Sequence, residues 1–80
     1  MRLPRNLSGS DLAHTLRKLG YAITRQTGSH LRLTTHEHGE HHLTIPQHTL
    51  LRIGTLSAIL ADVASHFEIS REQLLVRLFD

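Results

Sequence analysis

The chain has no cysteine among its 80 residues. It can therefore form neither a disulfide framework nor a thiolate metal site, and this composition is compatible with the cytosol. It also has no apolar run long enough to span a membrane, and its basic start, MRLPRNLSGSD, lacks the apolar stretch of a secretory signal. We therefore expect a soluble, intracellular protein located in the cytoplasm.

The short length favours a single domain over residues 1–80, with residues 1–7 loosely ordered. A chain of this size buries only about 60% of the surface that its unfolded state exposes, so its core is thin.

The charge is distributed unevenly. Residues 1–35 hold six of the nine lysines and arginines and one acid, which gives a net charge of +5, whereas residues 36–80 carry −3. A basic front half suits a polyanionic partner such as nucleic acid. Ordinary surface charge is the alternative interpretation.

Helical periodicity occurs at both ends of the chain. SGSDLAHTLRKLG indicates a first helix with Ser8 or Ser10 as its N-cap and Gly20 as its stop signal. GTLSAILADVASHF has the strongest period of 3.6 residues, and SREQLLVRLF opens with a capping box of Ser70 and Gln73. We assign the apolar stripe of the long helix to the core; it consists of Leu56, Ile59, Leu60, Val63 and Phe67. The stripe of the last helix stays open between core and protein interface; it consists of Leu74, Leu75, Leu78 and Phe79.

Alternating segments lie between these helices. YAITRQTG, SHLRLTT and HHLTIP each indicate a strand, with turns at Gly28 and Gly39 and a strand end at Pro46. Strict alternation places Leu31, Leu33, Leu43 and Ile45 towards a core. It leaves an open polar face formed by Thr24, Gln26, His30, Arg32, His42 and Thr44.

The predicted fold class is therefore α+β, with the element order α-β-β-β-α-α. Short connections favour an antiparallel meander of three strands, and helices packed on one face would cover its apolar side.

Several short motifs follow one another in a distinctive order. LRKLGY ends the first helix, Arg25 precedes the Gly28-Ser29-His30 turn, Pro46-Gln47-His48 ends the third strand and Gly54-Thr55-Leu56 opens the long helix. Over roughly residues 8 to 79 this pattern resembles the HicA toxins, small ribonucleases of bacterial and archaeal toxin–antitoxin pairs. Members often carry several lysines around the second and third strands, where this chain has THEHGEHH.

The resemblance implies a fold similar to the double-stranded RNA-binding domain and cleavage of messenger RNA. It also implies that a HicB-type antitoxin covers the active site. Carried over to this chain, the catalytic residue is His30, and Gly28 and Ser29 belong to the same motif.

The residue types suit this chemistry. RNA supplies its own nucleophile, the 2′-hydroxyl, so cleavage needs a group that moves protons and needs no metal or other cofactor; histidine does this near neutral pH. Backbone N–H groups near Ser29 and the guanidiniums of Arg25 and Arg32 are candidates for binding phosphate. Strict alternation puts Arg32, but not Arg25, on the side of His30, and places His42 on that side as a possible secondary residue.

Two other functions remain open from the sequence. The first is metal binding through the dense group His36, His38, His41 and His42, whose alternative is a polar hairpin that happens to be rich in histidine. The second is a non-catalytic RNA-binding module, which the element order and the basic front half would suit equally well. Both alternatives can be tested on the purified protein.

Overall fold

The computed structural model describes residues 3–80, so the expected loose order of residues 1–7 concerns a segment that lies partly outside the described residues. Leu3 and Leu7 pack partly buried against the core, and the Leu51 amide donates to the Leu7 carbonyl (2.8 Å). None of the helices in residues 3–80 has the length and apolar character needed to cross a membrane.

The first helix, α1, spans Gly9–Thr15 and continues as a 3₁₀ turn over Leu16–Leu19. Ser8 is its N-cap in a reciprocal capping box with Asp11, and Gly20 ends the 3₁₀ turn in the left-handed region at φ 81°. The stop signal at Gly20 is thus confirmed, although the predicted helix ends as a tighter 3₁₀ turn.

Three strands follow: β1 (Ala22–Thr27), β2 (His30–Thr35) and β3 (His41–Pro46). They pair antiparallel in the order β1-β2-β3, so the predicted meander is confirmed. Leu31, Leu33, Leu43 and Ile45 point to the helix side and are buried.

Two helices complete the chain, α2 (Ile53–Phe67) and α3 (Arg71–Phe79). The predicted capping box of Ser70 and Gln73 begins α3. All five residues of the α2 stripe are buried in the core, as are Leu74, Leu75 and Leu78, which decides between core and interface for these three; Phe79 packs partly buried against them. The fold is the predicted α+β arrangement.

Candidate nucleic-acid interface

A two-residue turn joins β1 to β2 and determines where His30 lies. Thr27 pairs with His30, so Gly28 and Ser29 form the loop, and Gly28 has a φ of 56°. A positive φ at the first loop position is the pattern of a type II′ hairpin, in which glycine is strongly favoured. The Ser29 carbonyl accepts a hydrogen bond from the Gln47 backbone N–H (2.6 Å), so the segment after β3 stabilises the turn. His30 is exposed at the first position of β2.

A β-bulge in β1 changes the predicted distribution of side chains. Ile23 lies opposite Leu33, but Arg25 lies opposite Arg32, so Thr24 is an extra residue in β1. The Thr24 hydroxyl donates to the Arg32 carbonyl (3.3 Å). Directly opposed residues share a face, so Arg25 projects from the open face of the sheet beside Arg32.

Two expectations from strict alternation are therefore wrong. Arg25 does not point away from the side of Arg32 and His30, and Gln26 does not lie on the open face. Gln26 pairs with the buried Leu31 and its amide donates to the Gln47 side chain (3.0 Å), which places it on the helix side. The physical reason is the bulge, because one inserted residue inverts the alternation for the rest of the strand.

His30, Arg25 and Arg32 form what we call the cationic corner, at the turn end of the open sheet face. His30 and Arg32 are two positions apart on one strand, about 7 Å along it. The ion pairs in the described part of the chain all join a histidine to a carboxylate, so neither arginine is neutralised by an acid there. Like charges directly opposed on a sheet repel, and a bound anion would relieve that repulsion.

His42 lies on the same face but at the other end of it. It pairs with Thr34, four residues from His30 along β2, which corresponds to a separation of about 13 Å. Both of its ring nitrogens are engaged, Nδ1 with the Thr34 hydroxyl (2.8 Å) and Nε2 with Glu40 Oε2 (2.9 Å). The structure therefore does not bring His42 to His30.

The histidines of the β2–β3 connection and the start of β3 contact several different carboxylates and do not form one shared site. His36 and His42 both approach Glu40, whereas His38 approaches Glu68 (3.0 Å). Within residues 3–80, no group of three or more histidine, aspartate or glutamate side chains is arranged to hold a metal ion.

His41 instead belongs to a partly buried cluster that joins β3 to α2. Its Nε2 donates to Asp62 Oδ1 (3.2 Å), so its Nδ1 accepts from the buried Tyr21 hydroxyl (2.7 Å). The His66 ring stacks on the His41 ring with centroids 4.4 Å apart, and His66 Nε2 donates to the Glu37 carbonyl (2.9 Å). Burial raises the pKa of Tyr21, and the Asp62 carboxylate adds to this shift. These contacts fasten the hairpin to α2.

The sequence identified Arg25 as a candidate for binding phosphate, but strict alternation placed its side chain on the wrong face of the sheet. The bulge that places it there has no strong local signal, because Thr24 is an ordinary strand residue and no glycine marks the irregularity. The face on which Arg25 lies depends on which residues of β2 pair with β1, and this pairing is defined only in the folded sheet.

A comparison with models of known protein families gives a match that covers most of this fold. The family model described as the HicA toxin of bacterial toxin–antitoxin systems matches residues 9–64, which is more than half of the chain. The matched region includes α1, the whole sheet and most of α2. This chain belongs to the HicA toxin family. No curated protein and no solved structure matches it.

Proposed function

We propose that this protein is the toxin component of a toxin–antitoxin pair and acts as an endoribonuclease on messenger RNA, with His30 as its catalytic residue. The observation that carries the proposal is the cationic corner: an exposed histidine shares one open sheet face with two opposed arginines, and no acid among residues 3–80 forms an ion pair with either. Membership of the HicA toxin family supports it.

The proposed reaction is transesterification by the 2′-hydroxyl of RNA. Neutral His30 accepts the proton of that hydroxyl while the 2′ oxygen forms a bond to phosphorus. The bond from phosphorus to the 5′ oxygen breaks, and water protonates the leaving oxygen, since the site is open to solvent. The products are a 2′,3′-cyclic phosphate and a free 5′-hydroxyl.

Arg25 and Arg32 stabilise the charge on the reacting phosphate in this mechanism. Guanidinium groups donate paired hydrogen bonds to phosphate oxygens, and the charge on these oxygens increases as the pentacoordinate transition state forms. Gly28 and Ser29 have a positioning role, because the two-residue turn holds His30 at the strand start and leaves the backbone accessible to phosphate. His42 has no step in this reaction, because it lies about 13 Å along the sheet from His30.

A HicB-type antitoxin is the proposed partner, and the open sheet face is the surface that it would have to cover to block cleavage. A messenger RNA substrate would place the protein in the cytoplasm.

Replacement of His30 by alanine tests the proposal. Incubation of purified His30→Ala with RNA should give cleavage at least about 100-fold slower than wild type, the usual minimum for a removed acid–base group. RNA binding, measured by gel shift, should persist, because both arginines remain. His36→Ala is the matched control, since that side chain is 77% exposed outside the corner, and His42→Ala should also keep the wild-type rate.

Three results would oppose the proposal in different ways. If wild type shifts RNA without cleaving it, the protein is a non-catalytic RNA-binding module. If His30→Ala cleaves as fast as wild type, catalysis lies elsewhere. Expression of wild type in cells should slow growth and degrade messenger RNA, and an absence of both effects would contradict the assignment as a toxin.

A further inference from the structure

An apolar groove lies apart from the cationic corner, where the chain segment before α1 meets the start of α2. Its volume is about 640 Å³, and its lining includes Leu7, Leu50, Leu51 and Ile53. Neither His30 nor either arginine of the corner contributes to it. The volume falls within the range of about 300–1,000 Å³ that is common for binding sites.

The groove exposes apolar side chains that a folded chain would ordinarily cover. Leu50 is 55% exposed and Ile53 is 56% exposed, only three residues apart in the sequence. Leu7 and Leu51 lie beside them, held together by the hydrogen bond between the Leu51 amide and the Leu7 carbonyl. Clustered apolar exposure of this kind marks an interaction surface more often than isolated exposed residues do.

The charge around the groove has one sign. Arg5 and Arg52 are both exposed and both line it, whereas its lining within the described residues includes no aspartate or glutamate. Arg52 also precedes α2 as its N-cap, without a side-chain capping hydrogen bond. A ligand that matches this surface has apolar anchors and carboxylates beside them.

We propose that this groove binds an amphipathic helix of a partner protein, with a leucine- or isoleucine-type stripe flanked by aspartate or glutamate. Such a helix presents anchors at i, i+3, i+4 and i+7, and several side chains of this size fit the volume of the groove. The proposal does not depend on RNA cleavage, because it uses none of the residues of the cationic corner.

Two other occupants fit less well. RNA bases stack on aromatic rings, and the aromatic residues of the chain, Tyr21, Phe67 and Phe79, lie outside the lining. A second copy of the chain could offer α3, which carries Glu72 and is followed by Asp80. Its exposed face, however, contributes Val76 as a large apolar anchor, while its leucines are buried in their own core.

A display library of helical peptides about 15 residues long provides the probe. Leucine or isoleucine occupies the anchor positions, and the flanking positions are fully randomised. Selection on the intact protein should enrich aspartate and glutamate at the flanks. The affinity of the enriched peptides should fall at least about tenfold for Leu50→Asp and for Ile53→Asp, as expected for central interface anchors.

Matched variants separate the groove from general effects of the added charge. Val76→Asp changes an apolar residue that is 48% exposed on another face, and its affinity for the peptides should equal that of wild type. Selection on Arg52→Glu should shift the enriched flanks towards lysine. Circular dichroism should show that all variants fold. RNA cleavage by Leu50→Asp should match wild type. A failure of the groove proposal is therefore distinguishable from a failure of the ribonuclease proposal.

The proposal is overturned if no peptide is enriched, if the flanks show no preference for acids, or if Leu50→Asp and Ile53→Asp bind as well as wild type. Two results would identify a different occupant and overturn it equally. One is a dimer of the free protein, measured by sedimentation, that Leu50→Asp dissociates. The other is a loss of RNA affinity in Leu50→Asp and Ile53→Asp.

Discussion

Tyr21 shows how one side chain connects the core to the histidine cluster. It is 1% exposed, and its hydroxyl donates to His41, which in turn donates to Asp62. The ionised phenolate would be buried next to this carboxylate, so burial first and Asp62 second raise the pKa of Tyr21. The folded state therefore favours the neutral phenol over the phenolate.

Stability should consequently fall in alkaline solution. Above pH about 10 the unfolded chain releases the tyrosine proton while the folded protein keeps it, so the free energy of unfolding decreases by up to about 1.4 kcal/mol per pH unit. Below that pH both states hold the proton, and the stabilisation is fully present. Urea unfolding of wild type and Tyr21→Phe between pH 8 and about 11 should show this slope only in wild type.

The substitution also has a cost at neutral pH. Tyr21→Phe leaves His41 Nδ1 without its donor and should lower stability by about 1–2 kcal/mol. Because Tyr21 is the only tyrosine of a chain without tryptophan, phenolate absorbance reports its ionisation directly. A phenol that titrates at pH 10 in the folded protein, or equal alkaline slopes in both proteins, would contradict this account.

Single residues also show what the sequence could indicate about the site. His30 follows a glycine turn and begins a strand, so its place on the polar face could be predicted from alternation alone. Arg25 could not, because its orientation depends on a residue inserted relative to the partner strand. The assignment of His30 as catalytic came from its motif rather than from geometry, and it stays a prediction.

At the scale of elements, the packing of α1 on the end of β3 depends on a missing side chain. A Cβ atom on Gly9 would lie 2.0 Å from the Pro46 carbonyl oxygen, and the Gly9 amide donates to the His48 carbonyl (2.9 Å). The start of α1 therefore approaches the backbone directly next to Pro46, which is the pairing partner of His30.

Gly9→Ala should destabilise the protein by about 1–3 kcal/mol, because α1 or the end of β3 must move. The same substitution at Gly54, near the start of α2, is the matched control, since within residues 3–80 its Cβ position has no atom within 4 Å beyond its chain neighbours and its own helix backbone. Gly54→Ala should be neutral or stabilising by up to about 1 kcal/mol, through the better helix propensity of alanine. Denaturant midpoints of both variants check this contrast, and equal effects would refute it.

The elements themselves were largely predictable. Capping residues, glycine stops and hydrophobic periods indicated every helix and strand in order, because these signals act within a few residues of each boundary. The 3₁₀ ending of the first helix and the bulge in β1 were not predictable. Both are local departures from regular geometry, and tertiary packing decides them.

At the scale of the whole molecule, the cationic corner and the histidine cluster occupy opposite ends of the sheet. His30 lies beside the β1–β2 turn, whereas His41 lies where β3 begins and contacts α2. The cluster of histidines in the sequence therefore lies at the end of the sheet that contacts α2, not at the end proposed for catalysis. The charge asymmetry along the chain is the better guide, since Arg25, His30 and Arg32 all belong to the basic front half.

RNA affinity should depend on salt in proportion to the phosphates that are contacted. For single-stranded RNA, each contact adds about 0.7 to the slope of log affinity against log salt. Arg25→Ala and Arg32→Ala should each reduce the magnitude of that slope by about this amount. Arg77→Ala removes the same charge from the exposed surface of α3 and should leave the slope unchanged. Equal slopes in all four proteins would exclude the two arginines as phosphate ligands.

The extra residue in β1 also affects how this chain must be compared with its relatives. Removal of Thr24 would leave Ile23, Arg25, Gln26 and Thr27 as a regular strand, each opposite its present partner. A family member without the insertion would thus keep the same open face with one residue fewer. For such a member, an alignment with a gap opposite position 24 would pair equivalent residues, whereas an ungapped alignment would exchange the two faces of the strand.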